Sequence, residues 1–153
     1  TEFQVVFAKY LSGVILVIFS LIPTIIYYLT IYNVSFPTGN VDSGAIWGSN
    51  TGLVLLGAVF TAIGLFASAV SDNQVVAFIT AFFLCLFLLQ GFESIAGLTN
   101  SGWLSTLLFN LGINAHYLSL SRGVIDTRDI VYFLSVISLF LMLTKTAMES
   151  RKW

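Results

Sequence analysis

Residues 45–92 read AIWGSNTGLVLLGAVFTAIGLFASAVSDNQVVAFITAFFLCLFLLQGF, with Asp72 as their one charged residue. A helix needs about 20 mostly apolar residues to cross ~30 Å of hydrocarbon, and this stretch holds that pattern twice. The polar tetrapeptide Ser71-Asp72-Asn73-Gln74 between the halves is short, so the chain must reverse tightly there. Residues 45–70 and 75–92 are therefore expected to be an antiparallel pair of membrane spans. The centre of the second, Phe82 to Leu89, is apolar all round and suits lipid.

The same reading extends outward in both directions. Residues 10–41 and 130–144 also carry no charge. A first span is expected over about 9–32, ending in an aromatic belt of Tyr27, Tyr28 and Tyr32. Pro37, Gly39, Asn40 and Asp42 mark the turn-rich loop after it. A last span is expected over about 130–147. Between the third and last spans, residues 93–129 are too polar to cross and too apolar for a solvated loop. Trp103, Leu104, Leu107, Leu108 and Leu111 recur there at helical spacing, opposite Ser105, Thr106 and Asn110. Short amphipathic outer helices, interfacial or re-entrant, are expected over about 101–123. Asn114 is a candidate cap for the second of them, Gly123 its end, and Asp126 or Thr127 the cap of the last span. The expected fold is an all-α membrane protein with four transmembrane helices in a single domain, 1–153.

Composition sets the same limits. The chain is 58% hydrophobic and 8% charged, where soluble domains run near about 25% charged. With a net charge of −1 it offers no basic surface for nucleic acid. Its one cysteine excludes an internal disulfide framework. Cys85 lies among Phe and Leu in mid-span, as an inert apolar side chain does. No Gly-rich nucleotide loop with Lys, no Ser/His/Asp arrangement and no His/Glu metal pair is present, so neither an enzyme nor a resident cofactor is expected. No ionisable residue falls at the centre of a span, which argues against a proton-driven pump.

Few residues stand out as candidate sites. Pro23 interrupts the first span and is either a hinge or a static kink. Gly48 and Gly52 form a GxxxG, and Gly57, Thr61, Gly64 and Ser68 continue a small-residue face along the second span. That face packs within the chain, against a second subunit or along a translocation path. Glu93 is either a coupling carboxylate or a solvated interfacial one. His116, the sole histidine, is expected to make ordinary interfacial hydrogen bonds. Arg122, Asp126, Arg128 and Asp129 bring four charges to one membrane edge, and Arg122 is expected to pair with Asp126 or Asp129 across the permissive Gly123.

The run Ser121-Arg122-Gly123-Val124-Ile125-Asp126-Thr127-Arg128-Asp129 resembles the stretch that enters the final span of ABC-2 type permeases. Thr61-Ala62-Ile63-Gly64-Leu65-Phe66-Ala67-Ser68, Asn73-Gln74-Val75-Val76-Ala77-Phe78, Lys9-Tyr10-Leu11, Pro23-Thr24 and Glu149-Ser150-Arg151-Lys152-Trp153 resemble the gliding-motility-associated permease subunits of Bacteroidetes. The permeases of nitrous oxide reductase maturation are the nearest rival branch. The resemblance implies a six-span permease that works as a homodimer or with a second permease subunit, with ATP bound and hydrolysed by a separate cytoplasmic ABC ATPase subunit. It also implies that this chain covers the last four spans, without the first two and the coupling segment after them. The chain starts at Thr1, as a fragment does and as removal of an initiator methionine also gives. No signal peptide is read there. A membrane anchor or assembly factor without a transport path is the rival from another class. Neither the transported substrate nor the direction can be read from apolar spans.

Four spans put both termini on one side. Lys9, Lys145, Arg151 and Lys152 belong to that side, against Arg122 and Arg128 on the other. Positive charge is retained in the cytoplasm, so both termini are expected there, in a bacterial inner membrane. In a Cys85→Ala background, a cysteine at Asn40 should react with an impermeant thiol reagent added outside whole cells. One at Asn73 should react only after permeabilisation. The opposite pattern would invert the topology.

Overall fold

The computed structural model describes residues 2–99 and 102–150. Arg151, Lys152 and Trp153, used above for orientation and resemblance, lie outside them, as do Thr1 and Ser101. All regular structure among the described residues is helical. In order the elements are α1 Glu2–Val34, α2 Ser43–Val70, α3 Gln74–Leu86, a π-helical turn Phe87–Gly91, α4 Phe92–Leu98, α5 Gly102–Leu111, α6 Ile113–Ser121 and α7 Thr127–Ser150. Four stretches are long and apolar enough to cross a membrane: Phe3–Val34, Ser43–Val70, Gln74–Leu98 and Thr127–Ser150. The chain is an all-α, multi-pass membrane protein.

The helix ends follow local chemistry. Asp42 caps α2 by accepting a hydrogen bond from the Ala45 amide at 3.1 Å. Asn73 caps α3 by accepting from Val75 at 2.9 Å, directly after the Ser71 reversal. Asp126 accepts from the Arg128 amide at 3.0 Å at the start of α7. Asn114 caps nothing: α6 begins after Gly112, without a side-chain cap. Gly123, at φ +81°, ends the segment in the left-handed region that glycine adopts without cost.

The third span does not stop at Phe92. It passes through the π turn and continues as α4 to Leu98. A π turn holds an extra residue, and Gly91 makes room for it. A Cβ at Gly91 would lie 2.6 Å from the Phe87 ring, which packs instead against Phe92 at 5.2 Å between centroids.

α2 is the central element and touches α1, α3, α6 and α7. Its buried face carries Gly48, Gly52, Ala58, Val59, Ala62, Ile63 and Ala67. Opposite it lie Val6 and Tyr10 of α1, Ile113 and Leu120 of α6, and Phe133, Ile137, Phe140 and Leu141 of α7. α1 runs antiparallel to α2. Thr24 in its second half donates to Asn50 at 2.8 Å, while Val6 and Lys9 line a cleft with Leu65, Ser68, Thr144 and Met148. The start of α1 and the end of α7 thus share one side of the bundle. The outer surfaces of α1 and α3 are exposed Leu, Ile, Val and Phe, such as Leu16, Phe19, Phe78 and Phe83, as lipid-facing surfaces are.

Pro23 sits on the exposed side of a helix that continues through it. The small residues of α2 divide into two sets. A Cβ at Gly48 would lie 2.5 Å from the Gly123 Cα, and one at Gly57 would lie 2.5 Å from Val17. These positions pack within the chain. Gly64 meets nothing within 4 Å, so the expected packing face does not extend to it. Gly48→Ala and Gly57→Leu should therefore destabilise the fold by about 1–3 kcal/mol through overpacking, and Gly64→Leu should not. The fraction of monodisperse protein after detergent extraction, with an unfolding midpoint, measures this. Equal damage at Gly57 and Gly64 would mean that the Gly64 face is occupied after all.

Candidate functional site

The polar side chains of the spans mostly spend their hydrogen bonds on their own helix. Ser12, Ser20, Thr61, Ser135, Ser138 and Thr144 all donate to carbonyls three or four residues back. A group bonded in this way is satisfied without a partner helix. The polar bonds that cross between helices therefore stand out. They gather where α1 ends, α2 and α7 begin, and α4 to α6 lie.

The most connected of them centres on His116 in α6. Its Nδ1 lies 2.7 Å from Oδ1 of Asp129 in the first turn of α7. Its Nε2 lies 2.9 Å from the main-chain carbonyl oxygen of Asn110 in α5. The ring stacks on Tyr132, with centroids 4.0 Å apart and planes 20° from parallel. The Tyr132 hydroxyl donates to the Leu111 carbonyl at the end of α5. One imidazole thus joins three helices, and one tyrosine repeats the link between α5 and α7.

Helix register puts these groups together. Asp129, Phe133, Ile137, Phe140 and Thr144 follow each other on the buried face of α7, and Tyr132 stands three residues after Asp129, on an adjoining line. Asp129 is 5% exposed, and its second carboxylate oxygen has no hydrogen-bond partner. Its carboxylate is therefore a costly group to bury and depends on His116.

A second polar link lies beside the first. Asn114 of α6 donates to Oε2 of Glu93 in α4 at 2.7 Å. Glu93 is half-buried and holds α4 against α6, so it is neither freely solvated nor buried without a partner. Ser105 of α5 donates to the Ala96 carbonyl at 3.0 Å and closes α4 on α5.

The pairing expected of Arg122 does not form. Asp129 goes to His116, and Arg122 makes no ion pair with Asp126 or Asp129. Arg122 follows the last turn of α6, exposed, and its amide donates to the Ser119 carbonyl. Asp126 and Arg128 are exposed at the start of α7. Alternating charges close in sequence do not meet here, because the Gly123 turn and the α7 register send Asp129 inward and its neighbours outward. Lys145 and Glu149, 3.5 Å apart on exposed α7, form an ion pair. Pro23, Gly57 and Gly64 lie away from this cluster, on the long spans. Gly123 borders it and packs on the backbone of Gly44 and Ala45. Reasoning from sequence gave His116 ordinary interfacial hydrogen bonds, without its partners, and passed over Tyr132. The available signal was an acid and an aromatic three apart at the start of a span, with the chain's one histidine in the helix before it.

Among the described residues no three of His, Cys, Asp and Glu are grouped to hold a metal ion. What the cluster can do is hold protons and fix the short helices against the spans. Comparison with protein-family models, curated proteins and solved structures gives no match.

His116→Ala leaves the Asp129 carboxylate buried without a partner, so the single change should cost on the order of 3 kcal/mol. The double change His116→Leu with Asp129→Leu should cost less than the sum of its single changes, since either one breaks the same contact. Unfolding titrations of the four proteins in mixed detergent micelles close this cycle. Additive losses would show that the 2.7 Å contact contributes no coupling.

Proposed function

We propose that this chain is the transmembrane permease part of an ATP-driven ABC-2 type transporter of a bacterial inner membrane, linked to gliding motility. The observation that carries the reading is the run Ser121 to Asp129, which resembles the stretch entering the last span of such permeases. Here it forms the joint between α6 and α7, with Gly123 at positive φ and Asp129 turned into the bundle. The sequence carries no nucleotide-binding loop, so the energy source in this reading is a cytoplasmic ABC ATPase subunit. The largely exposed apolar surfaces of α1 and α3 leave room for a second permease subunit or a second copy, and lipid covers whatever remains. Both termini then lie in the cytoplasm, on the side of Lys9 and Lys145.

The reading is tested by purifying the full-length protein from its native membrane in mild detergent. A stoichiometric partner with a P-loop is expected. The ATP hydrolysis of the complex should fall to background when the P-loop Lys of that partner is replaced. A chain that purifies without an ATPase, while a control membrane complex from the same extract stays intact, would favour the anchor or assembly role instead.

A further inference from the structure

The two nitrogens of His116 face two acceptors. Oδ1 of Asp129 and the main-chain oxygen of Asn110 lie within hydrogen-bond reach of them, at 2.7 and 2.9 Å. A carbonyl oxygen cannot donate, and an ionised carboxylate cannot either. A neutral imidazole has a single N–H and satisfies one of them. Both contacts are satisfied together if the ring carries two N–H groups, as an imidazolium, or if a protonated Asp129 donates to Nδ1 of a neutral ring. We propose that His116 is a proton-binding site, occupied in this conformation, and that its proton clasps α5 and α6 to the start of α7.

Two further observations favour placing the proton on the ring rather than on Asp129. The Tyr132 ring covers one face of the imidazole at 4.0 Å, and an aromatic face attracts a cation. Asp129 lies in the first turn of α7, where the helix dipole favours a carboxylate over a neutral acid. The site is also reachable: the His116 side chain is 19% exposed, at the end of the bundle rather than its centre.

The groups around His116 leave Asp129 as its one charged partner. α2 and α5 carry no ionisable residue within their bounds, and neither does the π turn. On α4, Glu93 is engaged by Asn114. On α6, Tyr117 packs toward Gly52. Asp42, Arg122, Asp126 and Arg128, near the same end, are not bonded to the ring. Loss of the proton as pH rises leaves two acceptors facing a ring that donates once. One contact must then weaken, and the hold of α6 on α5 or on α7 is loosened. This inference does not rest on the transport reading.

The sole histidine gives an unambiguous signal. The full chain, labelled with ¹⁵N-histidine and placed in phosphatidylcholine bilayers, should show two protonated ring nitrogens at neutral pH. Asp129→Asn should show one. A neutral, singly protonated ring in the unsubstituted protein would overturn the proposal, whether or not the variant folds. The clasp is read separately by amide exchange. As pH rises past loss of the second N–H signal, amides of α5 and α6 should exchange about tenfold faster than those of α2, which report the intrinsic pH effect. In His116→Gln that extra step should be absent. Amides of α5 and α6 that track α2 throughout would show that the proton holds nothing in place.

Discussion

The bundle depends on how closely α2 can be approached. Lipid offers no hydrophobic drive for one span to leave it for another, so association rests on packing and on hydrogen bonds between helices. Gly48 lets the Gly123 turn lie against α2 at backbone distance, and Gly52 admits the Leu120 side chain. Gly57 admits Val17 of α1, and Gly13 of α1 admits Thr61 in return. With these four glycines α2 is held by α1 on one flank and by the α6–α7 joint on another. Without the approach at Gly48 the joint moves outward, and the first turn of α7 with it. Asp129 would then no longer face His116. The geometry of the polar cluster thus leans on a backbone contact at the α6–α7 joint.

Polarity is distributed unevenly along the bundle. Toward the shared side of the termini, the named contacts are apolar, with Val6, Tyr10, Phe140 and Leu141 in the core and Phe66 edge-on to Phe140 at 5.7 Å. Toward the other side, bonds between helices accumulate: Thr24 with Asn50, Tyr28 with Ser43 at 3.0 Å, Glu93 with Asn114, and His116 with Asp129. Apolar contacts tolerate sliding. Directional bonds do not, because they weaken steeply when misaligned. The short helices are thus placed by directional bonds as well as by the apolar contacts of Ile113 and Leu120.

The spans were legible because charge is excluded from lipid and its positions therefore divide the chain. The reversal at residues 71–74, the caps at Asp126 and the positive φ of Gly123 were legible for local reasons, since each is decided by a few neighbouring residues. Glu93 misled the reading of the third span: a carboxylate marks a membrane edge only when water is its partner, and here Asn114 is. Gly64 misled because helical spacing shows which residues share a line, not how far a neighbouring helix follows that line. The Arg122 pairing failed for a related reason. Nearness in sequence does not fix direction, and the α7 register aims Asp129 and Arg128 to different sides. His116 and Asp129 meet only through the packing of α6 on α7, which no local pattern encodes.

Stability alone does not account for the His116–Asp129 pair. The rest of the buried face of α7 is Phe133, Ile137, Phe140, Leu141 and the self-satisfied Thr144. Apolar side chains at 116 and 129 would extend that face. Replacing a buried ion pair with packed apolar residues is often neutral or stabilising, by about 1–4 kcal/mol. The pair present leaves one carboxylate oxygen without a partner, a desolvation cost that an apolar pair would not carry. It differs from an apolar contact in two respects. It sets the angle of α6 and α5 on α7 by direction, and its strength changes with the number of protons it holds. The first property is shared with the Asn114–Glu93 and Tyr132–Leu111 links of the same region, each of which already ties a short helix or its neighbour in place. The second sets His116 and Asp129 apart from the Tyr132–Leu111 link, because here an imidazole and a carboxylate face each other and share the proton between them.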